Sequence, residues 1–285
     1  MTPTPDPAPS KNDRRHAARE KARLAREAQA RRTRRNKWFL QGGITAGVLA
    51  VIAVTAVIIV QAAAPAGPGP VNMASDGIVL TAGESGSVEA VRSEAVPAGG
   101  APTPFESPGD AAHIVIYQDF LCPICEAFDT ANAEQLEALA RSGAATVEIH
   151  PIAILDRLSQ GTRYATRAAN AAACVAEAEP DRFLDVNTAF YAQQPAEGTR
   201  GLSDDQIVEL VQAAGAASDD VAACIQSGEH EGWVADATAR ALEGPLPNTD
   251  LPAVTGTPTV LVNGEQYQGA VDDPAAFAAF VRQVS

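Results

Sequence analysis

The sequence predicts an α/β domain preceded by a single N-terminal transmembrane helix, and three features lead to that reading. A 23-residue stretch without charge, residues 38–60, follows a strongly basic tail. A short β-branched run, residues 113–117, leads at once into Cys122-Pro123-Ile124-Cys125 and then a helical pattern. After an Ala-rich helical block, a β run, a hairpin signal and a final helical segment close the chain.

The uncharged stretch would rise about 35 Å as a helix at roughly 1.5 Å per residue. That spans a hydrocarbon core of about 30 Å with some tilt. Trp38 stands at its basic edge, where an amphipathic indole favours the membrane interface. Twelve of the 21 Lys+Arg but only four of the 35 acids precede Trp38, a net of +8, leaving −22 for the rest of the chain. This asymmetry predicts a single-pass protein of the cell membrane, with residues 1–37 cytoplasmic and the C-terminal domain extracytoplasmic. The competing reading is a cleavable signal peptide ending near Ala62-Ala63-Ala64. The apolar stretch is longer than such leaders use, which favours a retained signal-anchor. Gly43 and Gly47 form a G-x-x-x-G that lets helices approach closely, though small residues are common in spans. The acidic domain argues against a nucleic-acid partner, because phosphate binding needs clustered Lys and Arg.

Residues 61–75, rich in Ala, Pro and Gly, read as a linker. The domain then runs over residues 76–285. Residues 76–80 suit a short edge strand, and residues 93–110, with four Pro and three Gly, suit a loop. The run 113–117, a helix over 126–141 and a β-rich run over 146–155 make a βαβ unit with the C-x-x-C at the strand-to-helix junction. A helical block occupies about 157–250, with segments near 161–178, 181–193, 203–214, 217–227 and 229–243. Ser203 and Ser218, each followed by two Asp, suit helix N-termini. Residues 257–262 return to β character, Asn263-Gly264 signals a hairpin, and residues 274–284 read as a last helix.

The cysteines carry the chemistry. There are four, Cys122, Cys125, Cys174 and Cys224, an even number that suits an oxidising compartment. Four cysteines allow three pairings, and spacing favours Cys122 with Cys125 and Cys174 with Cys224. A thiolate is the attacking species, and a helix start stabilises negative charge. Cys122 is therefore expected to be the acidic nucleophile and Cys125, one turn into the helix, the buried resolving cysteine. Pro123 in the first turn removes a donor the helix does not need. Asp119 invites a role in proton transfer, against the plainer reading of a strand-end cap. Two other readings of the C-x-x-C are a zinc half-site, for which no paired ligand spacing is present, and an inert disulfide. Cys174 and Cys224 read as a structural disulfide between helices, against a second redox pair.

Tyr117 to Cys125, the helical block and Gly256-Thr257-Pro258-Thr259 together resemble the DsbA-like thioredoxin-fold oxidoreductases. More narrowly they resemble the membrane-anchored type of Gram-positive, especially actinobacterial, organisms. The resemblance covers about residues 76–285. It implies a thioredoxin fold with a helical insertion, catalytic Cys122 and Cys125, a cis proline at Pro258, and substrate backbone contact at Thr257. Many relatives carry an aromatic residue or His where this chain has Ile124. No cofactor or metal is implied. The implied activity is oxidation of cysteine pairs in exported proteins through a mixed disulfide. A membrane redox partner of the vitamin K epoxide reductase type would restore the disulfide. A reductase or isomerase of the same fold and a non-catalytic thioredoxin-like interaction module stay open, with a peroxidase or redox sensor behind them.

Overall fold

A computed structural model describes residues 67–285 except Asp110. The expected membrane span and basic tail lie outside the described residues, and among those described no helix is long and apolar enough to cross a membrane.

The domain is built on one six-stranded sheet in the order β2-β1-β4-β3-β5-β6. The strands are β1 (Ile78–Ala82), β2 (Val88–Ala90), β3 (Ala112–Gln118), β4 (Ala145–Pro151), β5 (Thr259–Val262) and β6 (Glu265–Gln266). Strands β3 and β4 are parallel and joined by helix α1 (Pro123–Ser142), the βαβ unit read from the sequence. The remaining neighbours pair antiparallel. The central β3 therefore delivers the chain to Cys122 from the middle of the sheet.

One expectation is corrected at the sheet edge. The strand read at residues 76–80 runs over Ile78–Ala82 and is internal, with β2 as the edge beside it. Val88-Glu89-Ala90 carries too little apolar pattern to announce a strand, yet Leu80 pairs with Ala90 across the turn. The linker reading also shortens, because residues 69–75 pack onto the domain. Met73 is fully buried, and the Asn72 amide donates to the Ala176 carbonyl at 2.9 Å.

Between β4 and β5 the chain makes the helical insertion: α2 (Tyr164–Ala178), α3 (Phe183–Ala192), α4 (Asp204–Ala213), α5 (Asp219–Ser227) and α6 (Glu231–Glu243). Ser203 forms a full capping box with Gln206, and the Ser218 hydroxyl accepts from the Val221 N–H. Alanine lets α2 sit deep in the domain, with residues 168, 169 and 171–173 at most 1% exposed. Cys174 of α2 and Cys224 of α5 are joined as a disulfide with Cα atoms 5.8 Å apart.

The last segment closes the fold. Asn263 and Gly264 both have positive φ, 50° and 85°, as a two-residue primed hairpin turn requires. The Asn263 side chain accepts from the His113 N–H and donates to the Val284 carbonyl, each at 2.8 Å. It thereby ties the start of β3 to the end of α7 (Pro274–Val284). Phe277 of α7 meets Phe128 of α1 edge-on at 5.3 Å. On that face of the sheet Ile114, Ile116, Val147, Ile149, Val260 and Val262 join the main core. Tyr117 and Leu261 of neighbouring strands belong to a smaller cluster with Ile152, Ala241, Leu246 and Val254.

The Cys174–Cys224 link closes a loop of 50 residues. The chain-entropy treatment credits such a loop with about 4 kcal/mol, an upper figure. Replacing both cysteines by Ser is predicted to lower the unfolding free energy, measured by denaturant titration, by no more than that amount while leaving the Cys122–Cys125 exchange rate unchanged. A loss of exchange activity in a folded double variant would contradict a purely structural disulfide.

Candidate active site

Cys122 is the N-cap of α1, with extended φ −82° and ψ 116°. Its carbonyl accepts the Glu126 N–H at 3.1 Å. Its side chain makes no cap hydrogen bond. Pro123, the first helical residue, has no N–H to satisfy. The N–H groups of Ile124 and Cys125 are then left for the Cys122 sulfur, and both favour its ionised form. A helix end that usually carries a Ser, Thr or Asp oxygen here carries a thiol.

Both thiols are free, and they are 6% and 2% exposed for Cys122 and Cys125. Their acidities are pushed apart. The hydrogen bond from the Cys125 thiol is the largest influence on Cys122 and lowers its pKa. Burial opposes it, while the Thr257 hydroxyl and the two helix N–H groups add to the lowering, bringing the pKa down from 9.0 to about 6. Cys125 moves the other way, raised well above 9.0, chiefly by burial and then by Cys122 itself. The pair therefore holds one sulfur ready to ionise and one that keeps its proton.

The chain places Thr257 against Cys122 from across the sheet. The bond Thr257–Pro258 is cis. The Cys122 thiol donates to the Thr257 carbonyl at 3.2 Å. The Thr257 hydroxyl is buried without a partner among the described residues. When Cys122 loses its proton the sulfur changes from donor to acceptor, and this hydroxyl is the side-chain donor at hand. The sequence pointed to the backbone of Thr257 and not to its hydroxyl.

Asp119 is fully buried. One oxygen accepts the Leu121 N–H at 2.8 Å, and the other accepts those of Ile154 and Leu155 at 2.8 and 2.9 Å. It staples the approach to Cys122 to the chain leaving β4, which is more than a strand-end cap. Burial raises its pKa from 3.8 to about 7 against the pull of the three N–H groups, and the charge on Cys122 adds to the rise.

Gln194, just beyond α3, is a residue that sequence reasoning missed. Its side-chain amide donates to the Phe120 carbonyl at 3.1 Å and to the Cys122 carbonyl at 3.0 Å. Both amide hydrogens are used, so the insertion grips the catalytic turn directly. No local pattern announces this contact, which spans more than 70 residues. Tyr191 packs on Phe120 with ring centroids 5.4 Å apart, and its fully buried hydroxyl has no partner among the described residues. Ile124, between the two cysteines, is 52% exposed and offers an apolar contact beside the dithiol.

Among the described residues, one group of Cys, His and acidic side chains has metal-ligand spacing: Cys174, Cys224 and His230. The disulfide consumes both of its sulfurs, so those residues do not fit a metal. Among the described residues, no third Cys, His or acidic side chain has ligand spacing to Cys122 and Cys125. What the arrangement can do is exchange a disulfide: an acidic sulfur at the surface end of the pair, and a protonated one behind it.

A protein-family model described as Thioredoxin matches residues 109–283. Among solved structures, a reduced disulfide bond oxidoreductase (DsbG) from Mycobacterium tuberculosis is 29% identical with a TM-score of 0.55, covering 73% of this chain and 87% of that one. Reduced DsbA from the same organism is 28% identical with a TM-score of 0.53, over 73% and 92% of the two chains. MdbA, a thiol-disulfide oxidoreductase from Corynebacterium diphtheriae, shares the fold at 21% identity and a TM-score of 0.54, over 77% and 94%. No match was found among curated protein sequences.

Thr257→Val, which keeps the shape and removes the hydroxyl, is predicted to raise the Cys122 pKa above about 6, read from thiolate absorbance. An unchanged titration would remove that hydroxyl from the account. For Asp119 the folded pKa is raised, so the proton it holds stabilises the fold fully below the unfolded value of 3.8. That contribution is lost as pH rises through about 7. Stability is therefore predicted to fall across this window, and the slope should flatten in Asp119→Asn, measured by denaturant unfolding of the reduced protein.

Proposed function

The chain belongs to the thioredoxin family and is a protein disulfide oxidoreductase, and from that premise we propose that it oxidises cysteine pairs of exported proteins outside the cytoplasm. The observation that carries the direction is the stabilised Cys122 thiolate at the start of α1. Anything that stabilises the reduced form relative to the disulfide makes the disulfide a stronger oxidant.

A substrate thiolate attacks Sγ of Cys122 in the Cys122–Cys125 disulfide. A mixed disulfide forms, and the electron pair of the broken S–S bond leaves on Cys125, which takes up a proton in its buried setting. The second substrate thiol loses its proton and attacks the substrate sulfur of the mixed disulfide, releasing Cys122 as the thiolate. The substrate has lost two electrons and gained a disulfide; the enzyme holds the electrons as a dithiol. In this direction Cys122 is the sulfur attacked and then the leaving group, and Cys125 leaves first; in the reverse direction Cys122 is the nucleophile and Cys125 the resolving cysteine, with Thr257 and Pro258 the surface against which an extended substrate backbone lies.

The anchor proposed over residues 38–60 would hold the domain near the point where exported chains emerge. It would also hold it near a membrane redox partner, of the vitamin K epoxide reductase type, that removes the two electrons. The basic tail supports the orientation with the domain outside.

The test is the reduction potential of Cys122–Cys125 in the full chain, equilibrated against glutathione in detergent. A value near or above about −150 mV supports a disulfide donor, and a value near about −270 mV overturns it in favour of a reductase.

A further inference from the structure

Cys125 keeps its proton, so it attacks a mixed disulfide on Cys122 only after that proton leaves, and it regains one whenever it is released. The groups placed to move this proton lie where α3 runs beside α1. Two contacts fix the register of the two segments. The Asn187 amide of α3 donates to Asp129 of α1 at 2.9 Å. Gln194, just past the end of α3, donates to the carbonyl of Cys122, at the start of α1, at 3.0 Å. Seven residues back along α1 thus match seven residues forward from Asn187, and the segments run antiparallel. One turn from the Asp129–Asn187 contact, Cys125 on α1 comes opposite Tyr191 on α3.

Tyr191 is 1% exposed, and its hydroxyl is buried with no hydrogen-bond partner among the described residues. A fold gains nothing from burying such a group, because its lost hydration costs stability. Burial raises the phenol well above its ordinary 10.0, and among the neighbouring charges Cys125 weighs most, followed by Asp129. Asp129 stands one turn beyond Cys125 on the buried face of α1. Its carboxyl is held in place, because the Asn187 carbonyl is itself taken by the Gln118 amide. Burial raises its pKa from 3.8 to about 6 against the pull of the Asn187 amide, so at neutral pH it is a carboxylate with appreciable basicity. Asp119 is also buried nearby, but both of its oxygens already accept backbone N–H groups.

We propose that the Tyr191 hydroxyl and the Asp129 carboxylate form the proton route of the buried cysteine. This rests on dithiol-disulfide exchange at Cys122–Cys125 and holds for either direction of electron flow. As Cys125 Sγ attacks Cys122 Sγ of a mixed disulfide, its proton passes to the Tyr191 oxygen, and the Tyr191 proton passes to Asp129. The Cys122–Cys125 bond forms, the bond to the partner sulfur breaks, and the partner leaves as a thiolate with the electron pair. Asp129, 7% exposed, then loses the proton to solvent. When a substrate thiolate opens the disulfide, the electron pair departs on Cys125 and the same protons move in reverse.

Stopped-flow reaction of the reduced full chain, in detergent, with dithiobis(nitrobenzoate) separates the two cysteines. Cys122 attacks first and releases one thionitrobenzoate. Cys125 then attacks the mixed disulfide and releases a second. At about pH 8 the Cys122 thiol and the Asp129 carboxyl, both near 6, are ionised, so only the second phase moves a proton. Tyr191→Phe and Asp129→Asn are each expected to slow the second phase at least about 100-fold, the lower end of what a positioned proton-transfer group contributes, and to leave the first unchanged. Deuterated solvent is expected to slow the second phase of the unaltered chain more than its first. Circular dichroism confirms that each variant is folded, and Tyr191→Phe, which removes only an unpartnered hydroxyl, is expected to be no less stable. A second phase unchanged in either variant, or both phases slowed alike, would overturn the proposal. An unaltered chain with no first phase would remove the exchange reading itself, and the proton route with it.

Discussion

The first turn of α1 leaves backbone N–H groups that its own helix cannot satisfy, and the residue placed to answer them is a cysteine. An oxygen cap would satisfy them permanently. A thiol leaves them waiting, and they are satisfied fully only when Cys122 ionises. Much of the surrounding structure serves that condition. Pro123 takes one donor out of competition, Glu126 spends another on the Cys122 carbonyl, and those of Ile124 and Cys125 are directed at the sulfur. Burial works against the charge, and the local donors outweigh it at Cys122. At Cys125 burial wins, so one turn of helix separates an acidic thiol from one that holds its proton.

Such a turn functions only if its geometry is held, and two long-range contacts hold it. Asp119 links the end of β3 to the chain leaving β4 through three backbone N–H groups. Gln194 links the insertion to the carbonyls of Phe120 and Cys122. The insertion is therefore more than a cover over the dithiol. Its own helices are joined through Cys174–Cys224, and that link stands apart from the redox pair in the sequence and in its state, oxidised where the pair is reduced. The four cysteines divide between a covalent staple and a reagent.

Much of this was legible in the sequence because it is local. The β-branched run before Cys122, the helix after it, the Ser203 and Ser218 caps and the Asn263-Gly264 turn are each written within a few residues. The order of β and α elements then leaves little choice of topology. The cis bond at Pro258 was legible through resemblance, since nothing in Gly256-Thr257-Pro258 alone specifies it. What escaped was decided by distant partners. Strand β2 exists because β1 offers an open edge, and the grip of Gln194 depends on where α3 ends. The Thr257 hydroxyl gains its meaning from a sulfur 135 residues away.

The separation of the two thiol acidities is the claim on which the chemistry rests. It is read most directly by carbon-13 NMR of the reduced full chain with labelled cysteine Cβ atoms, titrated with pH. The account predicts that the Cys122 resonance moves with a midpoint near 6 while that of Cys125 stays put until well above 9. Two cysteines titrating together near 9 would mean that the helix start and Thr257 do not stabilise the thiolate, and would contradict it.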